Sequence, residues 1–104
     1  MHKISVIQTT IDDKVLADQL ISELLNDKMI ACAQISQIES HYWWQTKIEK
    51  TKEYRILFKL PSHNTNLVLD YLVANHSYEV PEIIMEEKQT TESYYNYCVE
   101  ACHQ

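Results

Sequence analysis

A two-layer α+β sandwich of βαββαβ order, closed by one further helix, is predicted by three features of the sequence. Four segments show strand-type apolar content, two segments with helical spacing follow the first and the third of them, and a tyrosine-rich helical stretch ends the chain. That order is the split βαβ plan of a ferredoxin-like sandwich, in which a four-stranded antiparallel sheet carries both main helices on one face. The other face then needs a cover. Two adjacent tryptophans and a long second hairpin point to a subunit interface in that role.

Residues 3–9 form the first strand, with Ile4, Val6 and Gln8 on one face, Ser5 and Ile7 on the other, and Thr9 and Thr10 ending it. Thr10 or Asp12 is the expected cap of a helix in which Leu16, Leu20 and Leu24 recur every four residues, widened by Ala17, Ile21 and Leu25. Asn26, Asp27 and Lys28 close it, and residues 29–33 open the second strand. Residues 33–44 are long for one strand, so a bend near Gln37 is expected.

Residues 53–60 place Tyr54, Ile56, Phe58 and Leu60 on one face and Arg55, Leu57 and Lys59 on the other, and one long hairpin joins this third strand to the second. Pro61 stops it, and Ser62 or Asn64 is the expected cap of a helix through Val68, Tyr71 and Leu72. Asn75 is suited to close that helix in the left-handed conformation. Pro81 then blocks further helix and biases Val80 to extended backbone, so Ile83, Ile84 and Met85 read as a buried strand. Thr90 or Thr91 caps the last helix, which runs to about Cys102.

A chain of 104 residues fits one domain, 1–104, and folding at this size buries roughly two-thirds of the unfolded surface. No apolar run approaches the roughly 20 residues needed to cross a bilayer, so no membrane segment is expected. Met1-His2-Lys3 leads directly into a strand without the apolar stretch of a secretory signal, and a cytoplasmic location follows as an expectation. The net charge of -6 and only nine Lys and Arg disfavour nucleic acid, whose phosphates must be neutralised. Small cations remain as partners that this charge allows.

The three cysteines, Cys32, Cys98 and Cys102, are odd in number and lack Cys-x-x-Cys spacing, which argues against a disulfide framework or a zinc ribbon. Glycine is absent, so a phosphate-cradling P-loop or Rossmann turn is excluded in practice. Turns needing positive φ must use other residues, and Asn26, Asn64 and Asn75 are the expected ones.

Chemistry is densest at residues 75–85, a junction of histidine, phenol, carboxylates and proline between regular elements. The run His76-Ser77-Tyr78-Glu79-Val80-Pro81-Glu82-Ile83 resembles the His-Pro-Tyr-Glu-Val-Pro-Glu-Ile motif of the CutA family, the divalent-cation tolerance proteins. Further matches to that family are Ile30-Ala31-Cys32 and the cluster Ser40, Tyr42, Trp44, Lys47, Ile48 and Glu49, with Thr46 where the family has glycine. Near the C-terminus Tyr95 keeps the family's tyrosine. Thr91, Glu92 and Cys98 replace its glycine, asparagine and tryptophan.

The resemblance spans about residues 4–99. It implies a non-enzymatic homotrimer assembled through the long hairpin and active in the response to metal ions. It also implies an inter-subunit cleft or interface formed by Tyr42, Trp44, Lys47, Tyr78, Glu79 and Tyr95. A divalent cation, copper above all, or a small anion is the implied ligand of such a cleft. His76 with Glu79 and Glu82 offers one imidazole and two carboxylates, a mixture suited to copper or zinc, with His76 and Glu82 as the ligands. The family positions associated with copper align to Gln8, Asn75 and His76, so only one of those donors is retained. The other reading of His76 is a residue that hydrogen-bonds the turn.

Cys98, Cys102 and His103 could hold Cu(I) on one helix face or simply end an apolar stripe, the reading preferred here, and Cys32 reads as core. Trp43 and Trp44 point to opposite faces of a regular strand. The alternative function is a small hydrolase of acylphosphatase type, against which the missing phosphate-binding glycines count.

Overall fold

The computed structural model describes residues 2–103, and its elements follow the expected order. They are β1 (His2–Ile11), α1 (Lys14–Asn26), β2 (Cys32–Trp44), β3 (Lys47–Leu60), α2 (Thr65–Asn75), β4 (Ile83–Thr90) and α3 (Glu92–Ala101), with a single 3₁₀ turn at Ser62–Asn64. The strands form one antiparallel sheet in the order β2-β3-β1-β4.

β1 runs two residues past its expected end because Ile11 is fully buried and pairs with Tyr54. The helix cap is therefore Asp13, whose carboxylate accepts from the Leu16 N–H at 3.1 Å, and not Thr10 or Asp12. At the other end of α1, Lys28 takes the left-handed conformation, φ 58°, in place of Asn26. Its N–H donates to the Leu25 carbonyl and that of Met29 to the Leu24 carbonyl, at 3.1 and 3.0 Å, the paired bonds of a Schellman closure. These bonds hold Met29 and Ile30 to the helix, so β2 starts at Cys32 and not at residue 29.

β2 and β3 pair without a bulge from Cys32↔Lys59 to Trp44↔Lys47, so the ladder is not interrupted at Gln37. The connecting residues Gln45 and Thr46 both have positive φ, 49° and 66°, as a two-residue I′ hairpin requires. A β-branched side chain in this region costs about 1 kcal/mol or more. Thr46→Gly is therefore expected to raise stability by about 1 kcal/mol, read as an upward shift of the urea midpoint. An unchanged midpoint would mean that the turn carries no such strain.

The buried set Ile7, Ile11, Leu20, Leu24, Ile56, Phe58, Leu60, Val68 and Leu72 joins the odd-numbered face of β1 and the even-numbered face of β3 to α1 and α2. Ser5 on the same face meets Thr65 at 2.5 Å, fixing the start of α2. Asn64 precedes that helix without capping it, its amide donating instead to the Met29 carbonyl at 3.1 Å. Asn75 is likewise not left-handed. Its side chain returns to the Tyr71 carbonyl, and extended His76 (φ -73°) ends the helix.

α3, capped by Thr91, lies on the opposite face, where Cys98 and Cys102 cover Ile4 and Ala31. The expected cover of that face is thus partly supplied within the chain. β4 corrects another expectation: Ile84 is 49% and Met85 43% exposed, because this strand is an edge with one neighbour and does not lie inside the sheet.

β3 meets β1 only between Tyr54 and Leu60, so residues 47–53 pair with β2 alone and project from the sandwich. The radius of gyration, 14.5 Å, shows that protrusion. A compact chain of this length would have about 13 Å.

Candidate functional site

Four pieces of chain meet at the base of the projecting hairpin: the end of β1, the end of β2, the middle of β3 and the turn formed by residues 76–82. They enclose an open cavity of about 660 Å³ lined by Tyr42, Trp44, Glu53, Tyr78, Glu79 and Glu82, with Asp12 at its rim. The ladder explains why these side chains converge. Tyr42, Trp44 and Glu53 all point to the face opposite α1 and α2, since Ile56 on β3, with Ala33 on β2, fixes the other parity to the core. Trp43 has the opposite parity and is 71% exposed.

His76 holds the turn. Its Nδ1 accepts from the Tyr78 N–H at 3.0 Å, which places the ring proton on Nε2, and Nε2 donates to the Thr10 carbonyl at 2.9 Å. The imidazole stacks obliquely on the Tyr78 ring, with centroids 4.8 Å apart. Tyr78 then donates its hydroxyl to Glu53 Oε2 at 2.6 Å. Further along, Glu82 is fixed twice, by the Gln8 amide on its carboxylate at 2.9 Å and by the Thr9 hydroxyl on its carbonyl at 2.7 Å.

Burial, followed by the hydrogen bond to Glu53, pushes the Tyr78 phenol well above its ordinary 10.0. The folded state therefore keeps a proton that the unfolded chain gives up near pH 10. The stabilisation is complete below that pH and is lost as pH rises beyond it. In an alkaline titration followed at 295 nm, wild type and Tyr78→Phe are expected to show the same number of phenolates at pH 11, because Tyr78 does not ionise while folded. The substitution should cost about 1–3 kcal/mol by leaving a buried carboxylate without its donor. One extra phenolate in wild type at that pH would contradict the placement of Tyr78.

The residues expected at a divalent ion do not fit one here. Both nitrogens of His76 are engaged, Glu82 is tied to Gln8, and among the described residues no three His, Cys, Asp or Glu side chains converge as a ligand set. His76 and Glu82, the pair expected at a metal, are in this structure held as two anchors of the turn. Asn75 faces the helix carbonyl and Gln8 the glutamate, so neither substitutes as a donor. Cys98 and Cys102 are buried, and burial raises both thiols, which suits packing and not a thiolate site with His103. Cys32 is half-buried and free.

Of the six residues assigned to a cleft, Tyr42, Trp44, Tyr78 and Glu79 line the cavity. Lys47 is the direct cross-strand partner of Trp44 at the last pair of the hairpin but does not line the cavity, and Tyr95, on α3 against its buried cluster, stacks on His2 at 4.6 Å. Sequence reading missed Glu53. It is 6% exposed and 25 residues from Tyr78 in the chain, and its parity groups it with Arg55 and Lys59 on the face away from α1 and α2, where a charged residue gives no signal. No Lys or Arg is among the lining residues, so the cavity lacks the phosphate cradle a hydrolase would need.

A four-stranded antiparallel sheet with two helices on one face and a third on the other defines a ferredoxin-like domain extended by a helix and a projecting hairpin. The sequence profile described as CutA1 divalent ion tolerance protein matches residues 5–101, and the chain belongs to that family. It is similar to the divalent-cation tolerance protein CutA of Pyrococcus horikoshii, 29% identical over 96 residues, covering 91% of this chain and 94% of that one. It is also 31% identical over 80 residues to the chloroplastic protein CutA 1 of Oryza sativa, covering 76% of this chain but only 45% of the rice protein. Among solved structures, the divalent ion tolerance protein CutA1 of Ehrlichia chaffeensis superposes with a TM-score of 0.92 at 27% identity, over 100% of this chain and 99% of that one.

Proposed function

We propose that the chain works as a non-enzymatic homotrimer in divalent-cation tolerance, with the cavity beneath the hairpin as its ligand cleft between subunits. The observation that carries the assembly is the hairpin itself. Residues 47–53 have one neighbouring strand, yet this end of the ladder displays Trp43, Trp44 and Ile48 to solvent. An isolated two-stranded ribbon is marginal in water, so a partner subunit is its natural support. The open edge of β4, with Ile84 and Met85, is a suitable acceptor. The count of three is what the family resemblance implies.

Absence of turnover is supported by the histidines near the site. His41 meets Glu39 and His76 meets backbone, so neither activates a serine or cysteine. The three free cysteines suit a reducing compartment, here the cytoplasm. Sedimentation equilibrium at micromolar concentration tests the assembly. A mass of three chains is expected, and a monomer would overturn the reading.

A further inference from the structure

The cavity beneath the hairpin combines three properties that together select a ligand. Its lining carries four carboxylates, Asp12, Glu53, Glu79 and Glu82, against one imidazole, His41, and no Lys or Arg; Lys47 and Arg55 share this face of β3 without lining it, so acids dominate the cavity itself. Glu53, nine-tenths buried, has one neutral partner, the Tyr78 hydroxyl, and no ion pair among the described residues engages it. A buried carboxylate without a counter-charge is costly unless a cation reaches it. The third property is the spread of the acids. A divalent ion needs several oxygens at about 2.0–2.6 Å around one point, and no such convergence exists among the described residues.

The charge is instead divided between two poles. One is formed by Asp12 and Glu53, which follow in register from the last β1–β3 pair, Ile11↔Tyr54. The other is Glu82, whose carboxylate accepts from Gln8, a residue whose backbone lies four positions, about 13 Å of extended chain, before Asp12. Tyr42, Trp44 and Tyr78 line the same cavity, with ring faces able to receive methylene groups and ammonium centres. We propose that this cavity binds a linear aliphatic amine carrying two or more ammonium groups, one at each acidic pole and the methylene chain against the rings. The inference rests on reading the cavity as the ligand cleft. A volume of about 660 Å³ accommodates such a chain.

The test is calorimetric titration of the full chain with spermidine at low salt, beside butylamine, magnesium and inorganic phosphate. Spermidine is expected to bind at least about tenfold more tightly than butylamine, and Glu53→Gln to weaken it about tenfold or more, the scale of a hydrogen bond to a charged group. Glu79→Gln, at an exposed position, guards against a Glu53 variant that fails to fold and should also weaken binding. Glu86→Gln, which removes the same charge on β4 away from the cavity, should not.

Equal losses from all three variants would reduce the effect to net charge and overturn the proposal. So would spermidine binding no more tightly than butylamine, or magnesium displacing it at equal concentration. Sedimentation of the same sample separates the two readings. A trimer that ignores spermidine sinks the amine and spares the assembly, whereas a monomer sinks the assembly while the titration still decides the ligand.

Discussion

Phe58→Ala is expected to lower the stability of the folded chain by about 3–5 kcal/mol, the largest effect of any single truncation in the main core. Phe58 is fully buried on the helix-facing side of β3, between Ile56 and Leu60 and under α1 and α2. Its neighbours come from paired strands and from helices held at their starts by the Asp13 cap of α1 and the Ser5–Thr65 contact of α2, so they cannot all close on the space left by the ring. Against a total of about 5–15 kcal/mol for a domain, the loss removes a large share of the margin. Urea unfolding at fixed protein concentration measures it. A cost below about 1.5 kcal/mol would show that the core repacks and that Phe58 is not held as described.

Trp44→Ala is expected to weaken subunit association by about 2–4 kcal/mol per site, while Trp43→Ala changes it much less. The contrast follows from parity. Trp44, 39% exposed, shares its face with Tyr42 and Glu53, whereas Trp43 has the opposite parity and is 71% exposed, although both border the cavity. An aromatic anchor with one side already seated against its own chain loses less freedom when the other side is covered. Sedimentation across a dilution series reads the shift, and far-ultraviolet circular dichroism checks that the hairpin still forms. Equal effects at both positions would remove Trp44 as the anchor.

The outcome at particular residues shows where a sequence speaks and where it does not. Tyr54, Ile56, Phe58 and Leu60 alternate with Arg55, Leu57 and Lys59, and period two is a local property, so their shared face was legible. Ile83, Ile84 and Met85 form an apolar run that looks the same in a central strand and at an edge; strand order decides between these, and it is not local. The left-handed residues were misplaced at asparagines. In a chain without glycine the turns are set by ladder register and helix ends, which put that backbone at Lys28, Gln45 and Thr46. At the site, the Tyr78-Glu79 motif could be read directly, but the pairing of Tyr78 with Glu53 depends on the turn crossing the end of the sheet. The role of His76 turned on which atoms face its two nitrogens, a matter of tertiary geometry.

The unbroken pairing from Cys32↔Lys59 to Trp44↔Lys47 also sets a time order along one ribbon. Near Phe58 an amide is released only when the whole sheet opens, because β1 flanks it; beyond Glu53 the same ladder frays from its free end. Deuterium should therefore enter the hairpin as a gradient, fast at Gln45 and Thr46 and slow toward Leu60. If subunits dock on that end, the fast half of the gradient alone should depend on protein concentration. The ribbon would then report association amide by amide, with the core exchanging at the same rate in dilute and concentrated samples.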